Sequence, residues 1–212
     1  MGRDLAPAQK APGRARKRPD KAPRRDREDW LEAARRALIE GGADRVKVEP
    51  LAGVLGVTTG SFYHHFKNRQ ELLDALLTHW ETHNSGALFH AVREAGDDAD
   101  AQLDALFDTW VDERDYDPAY DSAVRDWART SPAAEAAVRR VDDQRIELLT
   151  GIFAGFGYDP ERAFIRARIT YFHQVGYQAM AIIESHDRRQ GLRPLYREAL
   201  LGEPPSGGKP DR

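Results

Sequence analysis

Cysteine is absent from the 212-residue sequence, which removes disulfides, thiol catalysis and thiolate metal sites together. Long apolar runs are missing too: nothing approaches the ~18–20 consecutive apolar residues of a membrane span, and no apolar segment of a signal peptide opens the chain. No membrane partner and a cytoplasmic location are therefore expected. No glycine-rich loop follows a strand-like run and no nucleophile elbow occurs, so the phosphate cradle and acyl-transfer centre they would build are excluded. Lysine is scarce beside arginine, an imbalance better explained by codon usage in a GC-rich genome than by function.

Clusters of catalytic or metal-ligating type are thin. His79 and His83 stand i, i+4 and His90 lies two turns on, a spacing compatible with a metal, yet only Glu81 is near and it points elsewhere. Asp97-Asp98 and Asp142-Asp143 are sequence neighbours that diverge on a helix, as solvated faces do. Neither an enzyme, nor a metal, nor a cofactor is expected.

What is present is charge asymmetry and helical period. The formal net charge is −3, but residues 1–25 carry nine Lys and Arg against Asp4 and Asp20. Residues 26–69 carry seven charges of each sign, so the first 69 residues stand at +7 and the other 143 at −10. Nucleic acid would be drawn to one end and repelled by the other. With 41% hydrophobic residues the chain can bury one sizeable core and a smaller second one. Residues 1–25, rich in Pro, Ala, Arg and Lys without period, are expected to be a disordered basic tail. Arg14, Arg16, Lys17 and Arg18 there either enter a minor groove or only raise local attraction.

The segment Leu51 to Leu73, LAGVLGVTTGSFYHHFKNRQELL, is the most specific. Leu51, Ala52 and Leu55 form one apolar face of a short helix that Gly56 ends, and Val57 plugs the turn. Thr58 or Thr59 caps a next helix in which Phe62 and Phe66 point inward. Thr59, Gly60, Ser61, Tyr63 and His64 then lie outside, where a solvated helix would carry Glu and Lys. Hydroxyls, an imidazole and a glycine can approach a phosphate or a base edge closely. Of His64-His65, one reads as a phosphate contact and the other as a packing group. A preceding helix, about 26–40, places Trp30, Ala33, Ala34, Ala37 and Leu38 on one face and stops at Gly41-Gly42. A long helix begins near Arg69 and runs through Leu72, Leu73, Leu76, Leu77 and Trp80 toward Ala95.

Together Leu51-Ala52, Leu55-Gly56-Val57, Gly60-Ser61, Phe62-Tyr63, His65-Phe66, Arg69 and Leu72-Leu73 give a run that resembles the TetR (tetracycline-repressor) family of bacterial transcription regulators. The resemblance covers Asp26 to about Leu77. One departure is Glu49 before Pro50, which makes the first helix of the motif a poorer phosphate contact than the Thr, Ser or basic residue often found there. The resemblance implies double-stranded DNA as partner, with a palindromic operator, a homodimer and a small-molecule effector. The DNA-binding set is Thr58, Thr59, Gly60, Ser61, Tyr63, His64, Lys67 and Arg69. Thr59, Gly60 and Ser61 are placed nearest the bases; Tyr63, His64, Lys67 and Arg69 are placed on phosphates.

Beyond Ala101 the period predicts helices at about 101–115, 119–130, 133–155, 160–185 and 192–201, broken by Asp117-Pro118, Ser131-Pro132, Gly157 to Pro160 and Gly191 to Pro194. The fold class is all-α: a three-helix DNA-binding domain with a helix-turn-helix (26–70), a larger helical bundle for ligand binding and dimerisation (71–203), and a disordered end (204–212). The two longest bundle helices are apolar on two faces, so the second face meets either its copy across a two-fold axis or the monomer interior. Phe172, Gly176, Ala179 and Ile183 mark the candidate interface. Aromatics with polar handles suggest an effector pocket at Phe107, Trp110, Trp127, His173 and Tyr177 for an apolar or aromatic molecule, although core packing explains most of them equally well. A repressor released by its effector is expected. A regulator without a ligand, or a helical-bundle enzyme or carrier with an inert motif, also fits the residues.

Overall fold

The computed structural model describes residues 25–113 and 115–202, so the tails expected at either end lie largely outside it. Nine α-helices and one short 3-10 turn, with no strand, make up the described residues. Their starts follow from capping chemistry. Asp26 accepts from the Asp29 backbone N–H while Asp29 returns a bond to Asp26, a reciprocal cap that opens α1 (Arg27–Gly41). Asn68 caps α4 (Arg69–Glu94) and Asp98 caps α5 (Ala99–Asp112). Asp117, Ser131 and Asp159 each cap a helix whose next residue is proline: α6 (Pro118–Ala128), α7 (Pro132–Gly155) and α8 (Pro160–Ala179). Between α1 and α4 lie α2 (Val48–Leu55) and α3 (Thr59–Phe62).

Two boundaries differ from the sequence expectation. α8 ends at Ala179 rather than near residue 185, and Ala181 adopts φ +50°, a left-handed conformation no helix continues through. α9 then runs His186–Leu201, starting six residues early and passing through Gly191 and Pro194. Ser185 explains the start, since its hydroxyl accepts from the Arg188 backbone N–H at 3.2 Å. Pro194 forfeits one backbone hydrogen bond, and the side-chain pairing to α5 described below offsets it.

Two cores organise the helices. The first joins Trp30, Leu38, Phe62, Phe66, Leu72 and Leu76 to Trp80 of α4, Tyr120, Val124 and Trp127 of α6, and Ala134, Ala137 and Val141 of α7. The second holds Leu88, Leu103, Trp110, Tyr116, Leu149, Phe153 and Tyr171. α6 is therefore the wedge against which the N-terminal helices rest. Its N-cap ties three elements: Arg35 of α1 pairs with the Asp117 carboxylate, and Asn84 of α4 donates to the Asp117 carbonyl at 2.8 Å. The Tyr120 hydroxyl donates to the Leu76 carbonyl at 2.7 Å. Hydrogen bonds from Arg35 outweigh partial burial and hold the Glu32 carboxyl down to about 2, so this pairing persists at neutral pH and is lost only as pH falls toward that value.

A buried charge cluster staples α4, α6, α7 and α8. Asp121 is 1% exposed; it accepts from Arg145 at 2.9 Å, Arg125 at 2.8 Å and the Trp80 indole at 3.3 Å. Arg125 reaches on to Asp142 at 2.7 Å, and the Tyr171 hydroxyl donates to Asp142 at 2.6 Å. Burial alone would raise the Asp121 carboxyl, but the two guanidiniums overcome it and keep it below its ordinary value.

Candidate nucleic-acid interface and the cavity behind it

The α2–α3 turn is built as its residues dictate. Gly56 closes α2 at φ +68°, a conformation costly for any residue with a Cβ, and its N–H reaches back to the Ala52 and Gly53 carbonyls. Val57 follows, its N–H on the Ala52 carbonyl at 3.0 Å. Helix α3 itself spans only Thr59–Phe62, shorter than expected; the chain continues in turns to Phe66, whose N–H still meets the Phe62 carbonyl at 3.0 Å. Phe62 and Phe66 are buried and stacked at 5.4 Å, and Trp30 meets Phe62 edge-on at 5.2 Å. These rings fix the orientation of the outer face.

On that face Thr58, Thr59, Gly60, Tyr63, His64 and Lys67 are exposed, and Ser61 is half-buried. Tyr63 is 61% exposed although it is a large aromatic. A Cβ built at Gly60 would meet only Thr58 Oγ1, at 3.6 Å, so packing within the subunit does not demand glycine there. His65 is the inward member of its pair, Nε2–H donating to the Arg25 carbonyl at 2.9 Å. Lys47, the residue before α2, is also exposed and adds a cation to the eight residues of the DNA-binding set.

Arg69 departs from its expected place. Its guanidinium turns inward, donating to the Val46 carbonyl at 2.5 Å and to the Ala43 carbonyl, and so pins the 3-10 turn (Ala43–Arg45) to the start of α4. Two of its three guanidinium nitrogens, Nε and Nη2, are thus engaged within the protein. Arg69→Ala should therefore lower unfolding free energy by about 1–3 kcal/mol, because two carbonyls lose a charged donor. Urea unfolding would measure it. A variant as stable as the parent that binds DNA less well would restore the phosphate role.

Beside the second core, a cavity of about 270 Å³ opens between α5, α8 and α9. Phe107, Trp110, His173 and Tyr177 all line it, four of the five aromatic and imidazole residues expected at a pocket. Trp127 does not join them. It sits in the first core with residues of α1, α4 and α7. An indole on α6 reads the same in sequence whichever core it fills, so composition alone could not separate the two. Gln174 and Thr170 of α8 add polar lining, and the Gln174 Nε2 group is buried with no hydrogen-bond partner among the described residues.

The proposed two-fold stripe is also altered. Phe172 is 50% exposed and Ala179 is exposed on α8, with Gly176 half-buried between them. Ile183, 97% exposed, lies beyond the end of α8 and so is not on the same helical face. Phe164 and Ile165 extend the exposed apolar row at the other end of the helix, with the Arg168 guanidinium over the Phe164 and Phe172 rings. α7 and α8 pack against each other more extensively than any other helix pair.

Residues 31–76 match the family described as "Bacterial regulatory proteins, tetR family". Over 55 residues the chain is 44% identical to the "HTH-type transcriptional regulator TtgR" of Pseudomonas putida, covering 26% of each chain. It is 32% identical over 116 residues to the "HTH-type transcriptional regulator Rv1816" of Mycobacterium tuberculosis, covering 52% of this chain and 44% of that one. The matches thus span between a quarter and a half of these relatives. A solved transcriptional regulator of the TetR family from Agrobacterium tumefaciens superposes with TM-score 0.65 at 17% identity, covering 81% of this chain and 96% of that one, which establishes the shared fold.

Proposed function

We propose, from the premise that this chain is a DNA-binding transcriptional regulator of the tetR family, that it acts as a homodimeric repressor released from a palindromic operator by a small molecule. The observation that carries the DNA reading is the outer face of α3 and its following turn: hydroxyls, an imidazole and an uncrowded glycine stand exposed over a rigid aromatic floor. Each subunit lays this face in a major groove, with Thr59, Gly60 and Ser61 at base edges and Thr58, Tyr63, His64 and Lys67 on phosphates. Arg69 holds the turn before α2 in register, and Lys47 takes over its phosphate role.

The exposed apolar row of α8, with α7 beside it, supplies the two-fold contact as a four-helix interface. The effector enters the cavity beneath α9. Reading heads on half-sites one turn apart are ~34 Å from each other, so a shift of a few ångströms breaks simultaneous engagement. The effector must prefer the released spacing, since equal affinity for both spacings would shift nothing. In this role the protein is a regulator and not an enzyme.

Gly60→Glu tests the reading head. A Cβ there meets only Thr58 Oγ1, at an ordinary contact distance of 3.6 Å, so the melting temperature should stay within about 2 °C of the parent, which is about 0.5–1 kcal/mol or less for a chain of this size. Operator affinity should fall at least about 30-fold, from a carboxylate placed against DNA in two subunits. Fluorescence anisotropy with a selected duplex would read it. Unchanged affinity in the folded variant would remove α3 from the interface.

A further inference from the structure

We propose that α9 is a lid closed by an ion-pair ladder, and that the cavity beneath it takes an uncharged aromatic molecule bearing one hydrogen-bond acceptor; this rests on the effector reading above. Not one side chain of α9 is buried, and Leu195 remains 60% exposed. Apolar burial is the usual anchor of a helix in a protein, and α9 has little of it.

What holds it is charge. Asp100, Asp104, Asp108 and Asp112 recur every four residues on α5, and Arg189, Arg193 and Arg197 recur every four residues on α9. The two rows run antiparallel and interlock. Arg197 pairs with Asp104 at 2.6 Å and with Asp100; Arg193 pairs with Asp104 at 2.9 Å and with Asp108. Arg189 pairs with Glu113 at 2.8 Å and donates to the Trp110 carbonyl, while His186 meets Asp112 at 2.8 Å. The acids are half-exposed, so the ladder is open to screening by salt.

The two ends of α9 differ. At its C-terminal end Leu200 and Leu201 pack on the second core, and the Tyr158 hydroxyl donates to the Leu201 carbonyl. At its start the chain from Ile182 to Ser185 has no regular structure. Releasing the ladder therefore lets the helix swing about Leu200-Leu201 and uncovers Phe107, Trp110 and Tyr177. Tyr196, on the underside, closes against His173 at 4.8 Å between rings.

The lining selects the ligand's charge. Arg189 and Arg193 are both engaged by acids and carbonyls of α5, so an anion would have to dismantle the closure that retains it. The Glu184 carboxylate accepts from the Tyr177 hydroxyl at 3.1 Å. Among the described residues of the lining, the buried donor without a partner is the Gln174 amide, which calls for a carbonyl, ether or hydroxyl oxygen on the guest. At about 270 Å³ the cavity is at the small end for ligand sites.

Stopped-flow uptake of 6-propionyl-2-dimethylaminonaphthalene, a neutral aromatic ketone with one carbonyl acceptor that brightens in apolar surroundings, tests both parts. Between about 50 mM and about 500 mM sodium chloride the uptake rate of the parent should rise about three- to tenfold as the ladder is screened. Arg193→Gln with Arg197→Gln should take up the probe quickly at both concentrations, and Asp108→Asn, which removes a rung from the other helix, should move the rate the same way. Ala199→Trp, which fills the cavity from α9, should abolish the signal. Probe binding at a rate that neither salt nor these variants change would overturn the lid while the cavity stands. No brightening with the parent, or brightening that Ala199→Trp leaves intact, would overturn the effector cavity and the lid with it.

Discussion

Gly176→Arg is expected to yield monomers of unchanged helicity whose operator affinity falls by about 100-fold or more. Nothing lies within 4 Å of a Cβ built at Gly176, so the monomer accommodates the longer side chain. In the proposed dimer the exposed α8 row that includes Phe172 places one arginine against its own image across the two-fold axis, and two facing cations in a desolvating contact repel. Two reading heads act as one in the proposed dimer, so its loss removes effective-concentration gains of about 10²–10⁴. Sedimentation equilibrium and anisotropy on one preparation measure both effects. Dimers persisting at low micromolar concentration would move the interface off this face of α8.

Asp121→Ala is expected to cost about 3–5 kcal/mol of unfolding free energy, the range for leaving a buried charge without its partner. Arg145 is 2% exposed and its Nε and Nη2 already lack partners among the described residues, so Asp121 supplies its neutralising contact. Arg125 retains Asp142, and the Trp80 indole loses its acceptor. For a chain of this size the loss corresponds to roughly 6–20 °C in melting temperature. The pH dependence has a definite sign. The Asp121 carboxyl is held below its ordinary value, so its contribution is full at neutral pH and is lost as pH falls through its folded value. Thermal and urea unfolding of the variant measure the loss; a change under about 1 kcal/mol would mean that water or another acid replaces Asp121.

How much of this was legible in the sequence depended on whether the controlling partner was local. Asp or Ser before Pro marks the starts of α6, α7 and α8, and Gly56 marks the end of α2, because caps and left-handed turns are decided within a few residues. Phe62 and Phe66 declared the inward side of the reading head for the same reason. Arg69 did not declare itself: the Val46 and Ala43 carbonyls lie 23 and 26 residues earlier, and a basic residue beside a reading helix looks like a phosphate contact. Gly191 and Pro194 hide the start of α9, because both read as breaks although the helix runs through them. Its signal was available in two matching four-residue repeats of opposite charge on α5 and α9, about 80–90 residues apart. The Asp121 cluster had no such pattern, since its members come from four helices and only their fold brings them together.

Binding of duplex DNA by the purified protein is the decisive measurement. Selection from a randomised duplex library should enrich an inverted repeat, bound by two copies of the chain. With Lys47 and Lys67 on phosphates in each subunit, the logarithm of the affinity for that repeat should fall against the logarithm of salt concentration with a slope of roughly −4. Recovery of no repeat, with binding that is weak and indifferent to salt, would contradict the claim that this chain reads DNA as a two-fold pair.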